Sequence, residues 1–105
     1  MSTFQLDPNQ VALGVGSMGT TQAATVTTSS VQMTAFGANT TLIRIACANG
    51  HCHFAIGANP TASITTSPLI GNNQSEIIAV TPGQKIAFIK DAAVTTSTVT
   101  VTELI

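Results

Sequence analysis

The sequence predicts an all-β protein, an antiparallel β-sandwich or jelly-roll-like domain preceded by an extended N-terminal arm. Three observations lead to this prediction. Short runs rich in Thr, Val and Ile alternate with Gly, Pro and Asn turn signals, at the spacing expected of a sandwich or barrel. No window keeps the 3.6-residue apolar period of a helix. The β-branched residues that fill the runs favour strands over helices.

The arm is predicted to cover residues 1–22, and the β-sandwich domain residues 23–105. Asp7-Pro8 marks a turn near the start, and scattered glycines weaken any regular element in the rest of the arm. The apolar side chains of this segment follow no period. We expect four of them to anchor the protein to a partner: Phe4, Leu6, Val11 and Leu13.

The domain is predicted to contain seven strands. Each is a β-branched or alternating run that ends at a turn signal. They cover residues 25–28, 31–36, 40–47, 51–57, 75–80, 85–90 and 98–103.

The dipeptide Asn49-Gly50 predicts a hairpin between the third and fourth strands, because both central residues of a type I′ turn need a positive φ. In that hairpin Ile45 lies opposite Phe54 and Cys47 opposite Cys52, on a face that we assign to the core. The other face carries the polar side chains of the pair. We expect this face to contact a partner through Arg44, His51 and His53.

Pro82-Gly83 predicts a second hairpin, through a type II turn. Its register places Ile77, Ala79, Ile86 and Phe88 on the core face. The opposite face is also apolar, and a strand that is apolar on both faces is usually covered on both. We therefore expect another chain to contact Ile78, Val80 and Ile89.

The two cysteines of the first hairpin, Cys47 and Cys52, are predicted to face each other at a non-hydrogen-bonded pair. Their Cα atoms would then lie about 4.5 Å apart, which is short for a disulfide. Two reduced thiols in the core and a disulfide formed after release from the cell both remain open.

Candidate chemical groups are few. His51 and His53 could bind a metal at a symmetry axis, but the pleat turns Cys52 to the opposite face and no third ligand is evident. We expect solvated or interface histidines, with no metal and no cofactor. The four carboxylates form no closely spaced pair and no phosphate-binding glycine motif is present. The sequence therefore predicts a protein that is not an enzyme.

Charged residues make up only 7% of the chain and the net charge is −1, whereas about 25% is usual. Soluble monomers usually keep a charged surface, so this deficit predicts that partners cover much of the protein. Three basic residues cannot form a patch that neutralises phosphates, and no apolar run approaches the ~20 residues of a membrane span. We expect no direct nucleic-acid or membrane partner. The N-terminus lacks the pattern of a signal peptide, so we expect the protein to be made in a cytoplasm.

Three segments resemble a recurrent pattern in small tailed-phage virion proteins. A strand that contains Arg44-Ile45-Ala46 leads to the loop Ile56-Gly57-Ala58-Asn59-Pro60-Thr61-Ala62, and Val80-Thr81-Pro82-Gly83-Gln84-Lys85-Ile86 follows. The similarity covers roughly residues 40–103. It implies a β-sandwich head-decoration (cement) protein, often trimeric, and brings no catalytic residues.

The resemblance leads to a specific expectation of function. The chain would be a phage capsid decoration protein, located in the virion after assembly in the host bacterial cytoplasm. It would stabilise the head shell as a homotrimer bound to the major capsid protein. The alternative is a receptor- or glycan-binding module on a fibre or tail, which the shortage of aromatic residues disfavours. A tail-tube or adaptor ring subunit is a third, weaker option.

Overall fold

The structure, a computed structural model, describes residues 18–104, and this part of the chain contains strands and no helix. The strands are β1 (Met18–Val26), β2 (Val31–Gln32), β3 (Leu42–Ala48), β4 (Cys52–Gly57), β5 (Leu69–Ile70), β6 (Ser75–Ala79), β7 (Lys85–Lys90) and β8 (Ser97–Leu104).

The strands form two four-stranded antiparallel sheets. The first sheet has the order β1-β8-β3-β6 and the second sheet the order β2-β7-β4-β5. Every connection except that from β4 to β5 passes from one sheet to the other. Eight strands arranged in this way form a jelly roll. The prediction of an all-β, jelly-roll-like sandwich is confirmed. The anchor residues predicted in the arm, Phe4, Leu6, Val11 and Leu13, lie outside the described residues.

The core lies between the two sheets, because alternate residues of each strand point inward. Ile43 and Ile45 of β3 are fully buried, as is Ile86 of β7. The rings of Phe54 and Phe88 meet with their centres 6.4 Å apart. The core cluster also includes residues from β1, β5 and β8, namely Val26, Ile70, Val99 and Val101.

The two predicted hairpins do not form. β3 pairs with β6 and β8, and β4 pairs with β5 and β7, so Asn49-Gly50 is a corner between the sheets. The positive φ values expected of this dipeptide are present, 65° at Asn49 and 146° at Gly50. Pro82-Gly83 is likewise a turn between β6 in the first sheet and β7 in the second. The positive φ at Asn49, Gly50 and Gly83 was predicted correctly, and the strand pairing on either side of each turn was wrong.

The predicted register of β6 is also wrong. Ile77 is 52% exposed on the outer surface, whereas Ile78 and Val80 pack against the core. Because residues 77 and 78 are both isoleucine, alternation alone could not decide which one faces inward. Ile89 of β7 is half-buried on the outer face of the second sheet, so these three residues do not share a face.

Most strand boundaries differ from the predicted ones by one or two residues, and three elements differ more. β1 begins at Met18, inside the predicted arm. Of the predicted strand at 31–36, only Val31–Gln32 forms a strand. The backbone amides of Met33 and Phe36 still donate to the carbonyl oxygens of Ile86 and Gln84. The short strand β5 was missed, since two residues carry no periodic pattern.

The corner at Gly50 has no room for a side chain. A Cβ at this position would lie 2.1 Å from the carbonyl oxygen of Thr96, at a φ that other residues rarely adopt. The Gly50 amide donates a hydrogen bond of 3.0 Å to Oδ1 of Asn72, which ties the corner to the turn before β6. Close packing therefore requires glycine here.

We predict that Gly50→Ala lowers the free energy of unfolding by at least about 1–3 kcal/mol, because it adds backbone strain and a clash with Thr96. Gly57→Ala is the matched control, since a Cβ there meets no atom within 4 Å, and it should change stability by less than about 1 kcal/mol. Urea denaturation of both variants measures the difference. Equal stability of the two variants would contradict the corner geometry.

Candidate functional site

The candidate site is a cluster of His51, His53 and Asp91 on the outer face of the second sheet. β4 pairs with β7 so that Cys52 lies opposite Lys90 and His53 opposite Ile89. The ladder extends one step further, because the amide of Asp91 donates to the carbonyl of His51. The pleat then turns His51, His53 and Asp91 to the same side of the sheet.

His53 is the buried member of the cluster, with only 9% of its surface exposed. Its Nδ1 lies 2.9 Å from the carbonyl oxygen of Ser67, and its Nε2 lies 2.9 Å from Oδ1 of Asp91. Both of these oxygens only accept hydrogen bonds, so the protonated ring, in which both nitrogens donate, satisfies both contacts. Burial lowers the pKa of His53, but the Ser67 hydrogen bond, the Asp91 hydrogen bond and the Asp91 charge together raise it above its ordinary value.

Asp91 is the acceptor that joins the cluster. Its Oδ1 accepts a hydrogen bond from His53, and its Oδ2 accepts a hydrogen bond of 3.1 Å from the backbone amide of Ala93. The hydrogen bond from His53 is the largest cause that lowers the pKa of Asp91, followed by that from Ala93. The nearby imidazoles lower it further, and burial opposes the change.

His51 is the accessible member, with 36% of its side chain exposed. Its Nε2 lies 3.2 Å from Oδ2 of Asp91. Within residues 18–104, its Nδ1 has no hydrogen-bond partner. The cluster thus holds one imidazole inside the protein and presents the other to solvent.

The loop between β4 and β5, residues 58–68, covers His53. It contains the Pro-Thr-Ala segment on which the phage resemblance rests. The carbonyl oxygen of Pro60 accepts a hydrogen bond of 2.9 Å from the side-chain Nε2 of Gln32, and the backbone amide of Ala62 donates to Oγ of Ser30 over 2.9 Å. These bonds fix the loop against the β2 end of the sheet, so that the Ser67 carbonyl reaches His53.

Sequence reasoning placed His51 and His53 on one outward face, and the structure confirms this. It also placed Arg44 on that face, which is wrong: Arg44 lies on β3 in the first sheet, on the opposite surface of the sandwich. Sequence reasoning missed Asp91 and Ser67. Asp91 could have been found only from the pairing of β4 with β7, and a backbone carbonyl such as that of Ser67 carries no sequence signal.

A second polar cluster is buried beside the corner. The Sγ atoms of Cys47 and Cys52 lie 3.7 Å apart and both thiols are free. Cys47 Sγ and Ser97 Oγ each donate to the carbonyl oxygen of Gly50 over 2.8 Å. Burial first, and then the neighbouring Cys47, raise the pKa of the Cys52 thiol to about 12. The cysteines face each other across the core and not as cross-strand neighbours in one sheet.

No protein-family model and no curated protein matches the chain. Two solved structures do. One is described as the crystal structure of FeII HppE, with a TM-score of 0.54 and 11% identity. The other is hydroxypropylphosphonic acid epoxidase from S. wedmorenis in complex with fosfomycin, with a TM-score of 0.52 and 12% identity. Each match covers 79% of this chain and 42% of the solved chain. At this identity the likeness shows a common jelly-roll fold.

These matches overturn two predictions. The solved structures that share the fold are of an iron enzyme, and neither is a capsid protein. The prediction of a capsid decoration protein, with a fibre or tail receptor module as its alternative, is therefore wrong, and so is the prediction that excluded an enzyme. The phage resemblance itself, the virion location, the capsid-protein partner and the homotrimer are not tested by these matches and stay predictions.

The name of one matched structure includes iron, and the described residues of this chain contain no set of side chains that could bind it. Within residues 18–104, no three His, Cys, Asp or Glu side chains are placed to hold a metal ion. In the histidine cluster the two imidazoles approach different oxygens of one carboxylate, so that each oxygen of Asp91 already has an imidazole neighbour. The described residues therefore do not fit an iron site.

No helix in this part of the chain is long and apolar enough to cross a membrane.

We predict that the His53–Asp91 pair makes stability depend on pH. The pKa of His53 is raised from 6.5, so its contribution is complete below pH 6.5 and is lost as the pH rises through the folded-state pKa. The pKa of Asp91 is lowered from 3.8, so its contribution is present above pH 3.8 and is lost as the pH falls through the folded-state value. The pair should stabilise the fold most between these limits.

Asp91→Asn should lower the pKa of His53, because it removes the negative charge and weakens the hydrogen bond that raise this pKa against the effect of burial. An NMR titration of the His53 ring measures the change. Glu76→Gln is the control, since Glu76 is an exposed carboxylate on β6 in the other sheet. An unchanged His53 pKa in the Asp91→Asn variant would contradict the assigned contact.

We predict that Cys52 of the native protein does not react with thiol reagents at neutral pH, since its thiol is buried and its pKa is about 12. Iodoacetamide labelling followed by intact-mass measurement tests this. The native protein should gain no adduct on Cys52, and the urea-unfolded protein should gain one on each cysteine. Rapid labelling of Cys52 in the native state, or a mass that shows two protons missing before labelling, would contradict the two buried free thiols.

Proposed function

We propose that this protein is a hydrolase in which His51 acts as a general base. The observation that carries the proposal is the sharing of one carboxylate by two imidazoles. Asp91 is 2.9 Å from the ring of buried His53 and 3.2 Å from the ring of exposed His51. A histidine that is oriented by a carboxylate and open to solvent is suited to general acid–base catalysis.

The three residues have different roles in the proposal. Buried His53 is a positioning residue, because its hydrogen bond from Nε2 fixes the Asp91 carboxylate and keeps it ionised. Asp91 in turn lies 3.2 Å from Nε2 of His51 and orients its ring. Nδ1 of His51 is then the atom that exchanges protons with the substrate.

The step balances with water as the only co-reactant. Nδ1 of His51 takes a proton from a water molecule while the water oxygen bonds to the acyl carbon of an ester. When the tetrahedral adduct collapses, the bond from carbon to the leaving oxygen breaks. The leaving oxygen takes the proton back from His51, so that the acid and the alcohol are released and the imidazole is neutral again.

Apolar side chains beside the cluster suggest the substrate class. Leu69 of β5 and Ile89 of β7 both lie opposite His53 in the ladder, one on each side. Leu69 is 50% exposed and Ile89 is half-buried. This patch suits the chain of a short aliphatic ester. The epoxidase activity named for the matched enzyme is not carried over, because this chain spans 42% of that protein and the described residues do not fit its iron.

Hydrolysis of p-nitrophenyl butyrate tests the proposal. His51→Gln should lower kcat/KM about 100-fold, which is the low end of the contribution of a general base. Asp91→Asn should also lower kcat/KM. Glu76→Gln is the matched control for the loss of a carboxylate and should keep the wild-type rate. Circular dichroism and a thermal melt check that each variant is folded. If folded His51→Gln hydrolyses the ester at the wild-type rate, the proposed role of His51 is wrong.

A further inference from the structure

The edges of the two sheets differ in length. The second sheet ends in β2 and β5, which are two residues each. The first sheet ends in β6, with five residues, and in β1, with nine. Within residues 18–104, no strand lies beyond β1. An edge strand leaves the N–H and C=O groups of alternate residues unpaired by the sheet, so β1 is the longest free template for a further strand.

Beyond the register shift near its start, β1 lacks the features that usually protect an edge. Its sequence, Met18–Val26, contains no charged residue and no proline. The register with β8 shifts only between Met18 and Thr21, and the pairing runs without interruption from Thr21 to Val26. A stretch of six residues, about 20 Å long, is therefore a regular edge.

The inward side chains hold this edge in place. Val26 is buried in the core. The side chain of Gln22 bonds to the backbone of Thr34 in both directions, with its Nε2 donating over 3.0 Å and its Oε1 accepting over 2.9 Å. The outward side chains of the same stretch are small and exposed, namely Thr21, Ala23 and Thr25. A strand that docks on this edge meets a fixed backbone and no bulky side chain.

We propose that two copies of this chain associate through β1, antiparallel and across a two-fold axis, so that their first sheets join into one eight-stranded sheet. We place the axis at Ala23, the middle of the three outward residues, so that Ala23 lies opposite its own copy and Thr21 opposite Thr25 of the partner. Like charges directly opposite are destabilising. β1 carries no charge and meets no such repulsion. β6, the other edge of the same sheet, carries Glu76 and is less suited to pair with itself. Of the two edges of the first sheet, the uncharged β1 is therefore the one that can pair with its own copy without repulsion.

A charge-swap experiment on the full chain tests the proposal. The wild-type protein should shift from the mass of one chain to twice that mass as its concentration rises, in sedimentation equilibrium. Ala23→Lys and Ala23→Glu should each remain monomeric, because equal charges then face each other across the axis. An equimolar mixture of the two variants should regain the double mass. This rescue shows that each variant is folded and that β1 is the contact.

Ala79→Lys is the matched control, since Ala79 is an exposed alanine on the outer face of β6, and it should dimerise as the wild type does. Three outcomes would overturn the proposal: a wild type that stays monomeric at millimolar concentration, dimerisation of Ala23→Lys alone, and loss of dimerisation by Ala79→Lys. Amide hydrogen exchange adds a further outcome. If the backbone amides of β1 were protected from exchange equally at all protein concentrations, a segment of the same chain would be their partner.

Discussion

The passage of the chain from one sheet to the other at Asn49-Gly50 is the constraint on which the rest of the structure depends. β3 ends in the first sheet and β4 begins in the second, and the backbone makes this corner with positive φ at both residues. The corner brings Cys47 and Cys52 together across the core. It also places His51 and His53 on the outer surface of the second sheet, where both lie next to Asp91, the residue after β7.

Much of the core could be predicted from the sequence, although the strand pairing could not. The alternation in β3 and β4 correctly assigned Ile45 and Phe54 to the interior. An inward side chain looks the same in the sequence whether its partner is the next strand in a sheet or a strand of the facing sheet. Asn-Gly supplies positive φ equally well to a hairpin and to a corner. The pairing of strands therefore depends on the whole topology and not on the local pattern.

The candidate site was predictable only in part, for a similar reason. The two-residue period of a strand placed His51 and His53 on one face. The contact between His53 and Asp91 joins residues 38 positions apart, and it exists only because β4 pairs with β7. Asp91 was visible in the sequence as one of four carboxylates, and nothing local distinguished it. The shortage of charged residues led to the prediction of a non-enzymatic assembly protein. Composition describes the surface as a whole and carries no information about one cluster of three side chains.

Backbone proton contacts measured by NMR test the topology most directly, since it creates both the core and the histidine cluster. Cross-strand nuclear Overhauser effects should join β4 to β7, between His53 and Ile89 and between Cys52 and Lys90, and should join Ile45 of β3 to Val101 of β8. Contacts between the backbones of Ile45 and Phe54 would instead place β3 and β4 side by side in one sheet. That result would contradict the corner at Gly50 and remove the pairing that brings Asp91 to the two histidines.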